Sequence, residues 1–169
     1  MSRKTNLILL PGNSPNNRGW IEEVKSMLRP KYKRIKVQYY DHWSLGGGFK
    51  VKSERQKLRE ATEKFKSYAI FAKSVGVFLA IDSINNELIK PKHCIFCGTT
   101  TRSAQMLQNW STPTLFIQES LDPFLNIQDL MPIVESMESD HIELAEVPGN
   151  KHMYEDIELI NQKIEEFLK

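Results

Sequence analysis

The stretch Tyr68-Ala69-Ile70-Phe71-Ala72-Lys73-Ser74-Val75-Gly76-Val77-Phe78-Leu79-Ala80-Ile81 changes character in its middle. Tyr68 to Ala72 has the length and the apolar, aromatic content of a buried strand, and Val77 to Ile81 reads as the helix that follows. Between them, Lys73-Ser74-Val75-Gly76 leaves room for only a sharp turn, with Ser74 flanked at two residues' distance by Ala72 and Gly76. Small flanking residues are what such a turn requires, because it brings the helix close against the strand it leaves.

The same alternation runs outward in both directions. Leu7 to Leu10, Ile35 to Tyr39, Cys94 to Cys97, Thr114 to Ile117 and Ile142 to Val147 read as further short buried strands, giving six with Tyr68 to Ala72. Helical faces lie between and after them: Trp20, Val24 and Met27; Leu58, Ala61 and Phe65; Ile127, Leu130, Val134 and Met137; Ile157, Ile160, Ile164 and Phe167. Each set follows the three- and four-residue step of an amphipathic helix. Strand, helix and strand in repetition predict a largely parallel six-stranded sheet covered on both faces, an α/β/α sandwich, because parallel neighbours need a long, right-handed return. Ligands of such sheets bind beyond the carboxyl ends of the strands.

Composition bounds the rest. A length of 169 residues suits one domain over 1–169, and a hydrophobic fraction of 40% with 26% charged residues is that of a globular protein rather than a disordered chain or a fibre. The apolar run at Leu7 to Leu10 ends at Pro11, too short for a secretory h-region, so the expected location is cytoplasmic, with no membrane partner. Cys94 and Cys97 lie in an apolar strand without a second metal-ligating pair, which reads as reduced and structural. The net charge of +2 hides an asymmetry. Residues 1–85 hold 17 basic against 7 acidic side chains and residues 86–169 hold 6 against 14. The basic residues are dispersed and not interleaved with aromatics, so a solvated face is expected and nucleic acid is not.

The loops at the strand ends carry the chemistry. A relaxed [GA]-x-S-x-G match arises by chance about 0.05 times in a chain of this composition, so the turn at Ser74 means little alone. Ser74 could simply cap the helix. Its context decides otherwise, since an acid and a histidine follow in the order Ser, Asp, His, each after a later strand. Asp122 follows Thr114 to Ile117, in a turn before Pro123, and His152 follows Ile142 to Val147. Asp129 is the rival acid but falls within a helical stretch. His93 and His141 precede strands, and His42 follows the second strand.

These residues, with the opening Leu7-Ile8-Leu9-Leu10-Pro11-Gly12-Asn13 and the following Trp20, resemble a minimal α/β-hydrolase superfamily member. The opening is similar to that of the small retinoblastoma-binding-protein-9-like serine hydrolases. The resemblance implies a strand order of 2-1-3-4-5-6, Ser74 as nucleophile, Asp122 as acid and His152 as base. It also implies an oxyanion hole from the backbone N–H groups of Asn13 and Val75. Ala72 stands in place of the first glycine of the turn, Glu119 where a glycine often precedes the acid, and Pro11-Gly12 where His-Gly is common. Ser14, His42, Trp43 and Thr99 are candidates for the substrate pocket, and the triad chemistry calls for no cofactor and no metal. No insertion before the acid is long enough for a helical cap. The expected activity is hydrolysis of a small ester, thioester or amide; the alternatives are an interaction module on the same scaffold and a binder of acidic partners through the basic half.

Overall fold

The computed structural model describes residues 5–169; Arg3 and Lys4, the basic start of the chain, lie outside them. Six strands, β1 (Asn6–Leu10), β2 (Ile35–Val37), β3 (Tyr68–Lys73), β4 (Cys94–Cys97), β5 (Thr114–Glu119) and β6 (Ile142–Val147), form one sheet in the order β2-β1-β3-β4-β5-β6. Every pairing is parallel. The helices are α1 (Asn17–Leu28), α2 (His42–Leu45), α3 (Val51–Thr62), α4 (Val75–Asn85), α5 (Thr101–Ala104), α6 (Ile127–Glu135) and α7 (Ile157–Phe167). The expected α/β/α arrangement and strand order are therefore those of the molecule. None of the described helices is long and apolar enough to cross a membrane.

The period of two along each strand sends alternate residues to opposite faces, and here both faces are apolar. Ile8, Leu10, Ile70, Phe96 and Phe116 pack against Leu58 and Ala61 of α3, Val77 and Ala80 of α4, and Leu130 of α6. Leu7, Leu9, Phe71, Ile95 and Ile117 pack on the other face against Ile21, Val24 and Leu28 of α1 and Ile160 and Ile164 of α7. This two-sided burial is why the central strands read as unbroken hydrophobic runs. The edge strand β6 keeps only Val147 buried.

Several bounds differ from the sequence reading: β1 begins one residue earlier, at Asn6, and β3 and β5 run on to Lys73 and Glu119 rather than ending at Ala72 and Ile117. The second strand ends at Val37 rather than Tyr39. The Gln38 N–H still donates to the Leu9 carbonyl, but the Tyr39 carbonyl is taken by Lys57 Nζ and the Tyr40 hydroxyl donates to the Pro11 carbonyl, so the chain turns over the top of β1. After β4 the return is made by a single short helical turn, α5, whose Thr100 cap accepts from the Ser103 N–H.

At the opposite, amino end of the sheet, His93 lies against Tyr32, with 2.9 Å between Nε2 and the hydroxyl oxygen. Burial, reinforced by Lys92, pushes the His93 pKa down from 6.5 to about 4. The folded protein thus keeps this ring neutral where the unfolded chain protonates it. Stability is full above the unfolded value and declines as the pH falls from 6.5 to about 4. Thermal melts across that window should show the decline, and His93→Gln should flatten it.

Candidate active site

A parallel sheet places all its carboxyl ends on one side, and the loops after β1, β3, β5 and β6 meet there. They enclose a cleft of about 700 Å³ lined by Gly12, Ser14, Trp20, Ser74, Phe124 and His152, among others.

Ser74 sits at the tightest point. Its φ of 53° and ψ of −112° lie outside the regions open to most L-residues, a conformation that costs on the order of 1–3 kcal/mol. The turn is pinned from both sides: the Ser74 N–H donates to the Cys97 carbonyl, and the Ser74 carbonyl accepts from Val77 and Phe78. Gly76 shows why the turn needs small residues. A Cβ there would stand 2.3 Å from the Leu10 carbonyl oxygen, so α4 can leave β3 at this angle only if Gly76 lets it touch β1. The Val75 N–H, first in α4, has no acceptor one turn back in the helix.

Asp122 and His152 come together from loops 30 residues apart, with 2.6 Å between Asp122 Oδ2 and His152 Nδ1. The carboxylate is otherwise satisfied. Oδ2 accepts from the Tyr154 hydroxyl at 2.8 Å, and Oδ1 accepts from the Phe124 N–H at 2.9 Å. Burial alone would raise the Asp122 pKa, but the hydrogen bonds from His152, the Phe124 N–H and Tyr154 outweigh it and hold the carboxyl below its ordinary value. With Nδ1 so engaged, His152 Nε2 is buried and has no hydrogen-bond partner among the described residues. It shares the cleft with Ser74.

The loop carrying His152 is strained as well, with positive φ at His152 and Tyr154. What holds it is Glu119, which in the sequence is notable only as a replaced glycine. Its carboxylate accepts N–H bonds from Lys151 at 3.1 Å, His152 at 2.9 Å and Tyr154 at 2.8 Å, while its own N–H donates to the Tyr154 hydroxyl at 3.0 Å. Gly149 makes room for this carboxylate, since a Cβ there would lie 2.4 Å from Glu119 Cδ. Glu119→Gln removes the charge and turns an amide toward these N–H donors. Hydrogen bonds to a charged group are worth about 1.5–3 kcal/mol each, so the variant should melt lower and lose about 10- to 100-fold in any turnover that depends on His152. Paired melts and rate measurements check this.

The remaining sequence candidates divide. Asn13 and Ser14 line the cleft, but His42, Trp43 and Thr99 do not. His42 Nε2 and Trp43 Nε1 both lie 2.8 Å from the Asn13 carbonyl oxygen, so they grip the first loop from behind. With Tyr40 on the Pro11 carbonyl, this fixes the loop on either side of the Asn13 N–H. Thr99 is fully buried, its N–H given to Gln118 Oε1, and Gln118 Nε2 ties it to the Leu125 carbonyl of the Asp122 loop. Asp129 is in the first turn of α6, its N–H capped by Asn126, away from the cleft. Lys73, at a position the turn motif leaves free, lines the cleft and is 5% exposed. No group of three or more His, Cys, Asp or Glu among the described residues is placed to hold a metal.

Comparison with solved structures sets this geometry among known folds. An α/β serine hydrolase without lid from Xanthomonas campestris superposes with a TM-score of 0.72 at 14% identity, over 99% of this chain and 82% of that one. The chain has the α/β-hydrolase fold. An esterase from Pyrococcus furiosus gives a TM-score of 0.77 at 13% identity, over 99% of this chain and 81% of that one. An uncharacterised protein from Bacillus cereus gives a TM-score of 0.76 at 17% identity, over all of this chain, which spans 62% of the length of that protein. No family model and no curated protein sequence matches the chain.

Proposed function

We propose that the protein is a serine hydrolase that cleaves a small carboxylic ester, thioester or amide through an acyl-enzyme on Ser74. The observation that carries this reading is the pairing of Asp122 with His152 Nδ1, which leaves an unpartnered Nε2 in the same cleft as a serine held in a strained turn. A scaffold used only for interaction has no need of that strain.

The chemistry follows from the parts. His152 Nε2 takes the proton of the Ser74 hydroxyl as its oxygen attacks the carbonyl carbon, and returns it to the leaving group. Asp122 holds the imidazole with its Nδ1 protonated and stabilises the cation formed in passing. The negative charge that develops on the substrate oxygen is met by the Val75 and Asn13 N–H groups, a donor of this kind being worth about 10²- to 10³-fold in rate. Water then repeats the sequence on the acyl-enzyme. Tyr40, His42 and Trp43 serve by holding the Asn13 loop and Glu119 by holding the His152 loop. Solved neighbours of this fold include proteins described as a monoacylglycerol lipase and a thioesterase, which is consistent with acyl transfer. Among the described residues no element caps the cleft, so the expected substrates are small or presented at a surface.

The test is steady-state and rapid-mixing hydrolysis of p-nitrophenyl esters of two to six carbons. An initial burst of p-nitrophenol of about one equivalent, followed by slower turnover, is the expected signature of an acyl-enzyme. Absence of turnover above the buffer rate across the series would overturn the reading.

A further inference from the structure

The triad gives no task to Lys73. As the last residue of β3 it shares a face of the sheet with Phe71, beneath α1, and is 5% exposed. Its Nζ donates to Asn17 Oδ1 at 3.0 Å and lies 4.8 Å from the centre of the Trp20 ring. Both neighbours are neutral, and none of the carboxylates among the described residues forms an ion pair with it. An ammonium has three donors and is costly to withdraw from water without an anion beside it. Burial pulls the Lys73 pKa below the ordinary lysine value, and the negative field of Glu119, Asp122 and Glu155 pushes it part of the way back.

The surroundings match an anion rather than a neutral chain. Asn17, at the start of α1, lines the cleft together with Lys73, and the first turn of that helix holds no acidic residue and no side-chain cap. Glu23, Glu155 and Lys151 stand on the exposed rim, where water screens them. The cleft also carries exposed apolar surface, beside His152. Phe124 lies 4.5 Å from the His152 ring centre and is 58% exposed, with Met153 beside it at 49%. Because His152 must protonate the leaving group, the leaving group takes the side of His152 and Phe124, and the acyl half is left to reach the lysine.

On the serine hydrolase reading above, we propose that Lys73 sets specificity: the substrate is an ester whose acyl half ends in a carboxylate, a half-ester of a short dicarboxylic acid, with the free carboxylate paired to Lys73 Nζ. The competing role for Lys73 is a strut. Asn17 Nδ2 donates to the Ser14 carbonyl at 2.9 Å, so Lys73 could act only by steadying Asn17 and the first loop.

The two roles part on a matched pair of substrates, the p-nitrophenyl esters of hexanoate and of hemiadipate, which differ by a carboxylate in place of a terminal methyl. The wild-type protein should favour hemiadipate by about 10- to 100-fold in kcat/KM, mainly through KM, and Lys73→Met should bring that ratio close to one. Calorimetry supplies a readout that needs no turnover: adipate should bind Ser74→Ala, and binding should be lost when Lys73→Met is added, with melts confirming that each variant is folded. Hydrolysis of both esters without preference, or a Lys73→Met loss equal on both, overturns the inference and leaves the hydrolase reading standing. Lys73-dependent adipate binding without turnover of either ester supports the anion site while removing the hydrolase reading. Neither turnover nor binding overturns both.

Discussion

Ser74→Ala should give a protein that melts within a few degrees of the wild type and hydrolyses esters about 10⁶-fold more slowly, and His152→Gln should do the same. Each side chain is useless without the other. The serine hydroxyl is too weak an acid to attack unaided at neutral pH, and without Ser74 the imidazole has no positioned side chain on which to form an acyl-enzyme. The double variant should therefore be no slower than either single one, a non-additivity that separates one catalytic unit from two independent contributions. The small effect on stability follows from position: Ser74 makes its structural bonds through its backbone, and in His152→Gln the new side-chain amide can replace the Nδ1 donor on the Asp122 carboxylate. Retained turnover in His152→Gln would place the base elsewhere.

Asp122→Asn should cost up to ~10⁴-fold in turnover, the scale expected when the acid of a triad is neutralised, with substrate binding largely kept. The Phe124 N–H will still find the amide oxygen of the new side chain, which turns the NH₂ toward His152 Nδ1 and Tyr154. A donor facing Nδ1 selects the wrong tautomer, placing the imidazole proton on Nε2 where the serine proton must go. Stability has its own sign. Because the native contacts hold the Asp122 carboxyl below its ordinary value, their contribution is present above that value and is lost as the pH falls through it, and Asp122→Asn removes this acid-labile part. Asp129→Asn is the control. That carboxylate accepts from Asn126 Nδ2 at the start of α6, so its loss should cost a few tenths of a kcal/mol and leave turnover within about two-fold. A damaging Asp129→Asn with a silent Asp122→Asn would refute the assignment of the acid.

The sheet is legible in the sequence because two-sided burial forces every central strand to be apolar along its whole length, and the helices between them carry the period of 3.6. That Ser74, Asp122 and His152 share one end of the sheet is legible because a parallel sheet fixes which loops lie together. What the sequence does not show depends on how loops fold back. His42 and Trp43 follow β2 on the correct side, but their ring nitrogens point at the Asn13 carbonyl rather than into the cleft. Glu119 reads only as a residue standing where a glycine often precedes the acid, yet three N–H groups of the His152 loop converge on it. Tyr154 carries no motif at all. Lys73 has a usable signal: in a two-residue period it falls on the face of Phe71, and a lysine there must be buried beneath α1.

The most direct test of the account is to treat the native protein with a fluorophosphonate probe and locate the modified residue by peptide mass spectrometry. The account predicts a single adduct on Ser74, formed slowly or not at all in His152→Gln and absent after denaturation. An adduct on Ser14, which lines the same cleft, or on any other serine, or no adduct on a folded protein, would contradict it.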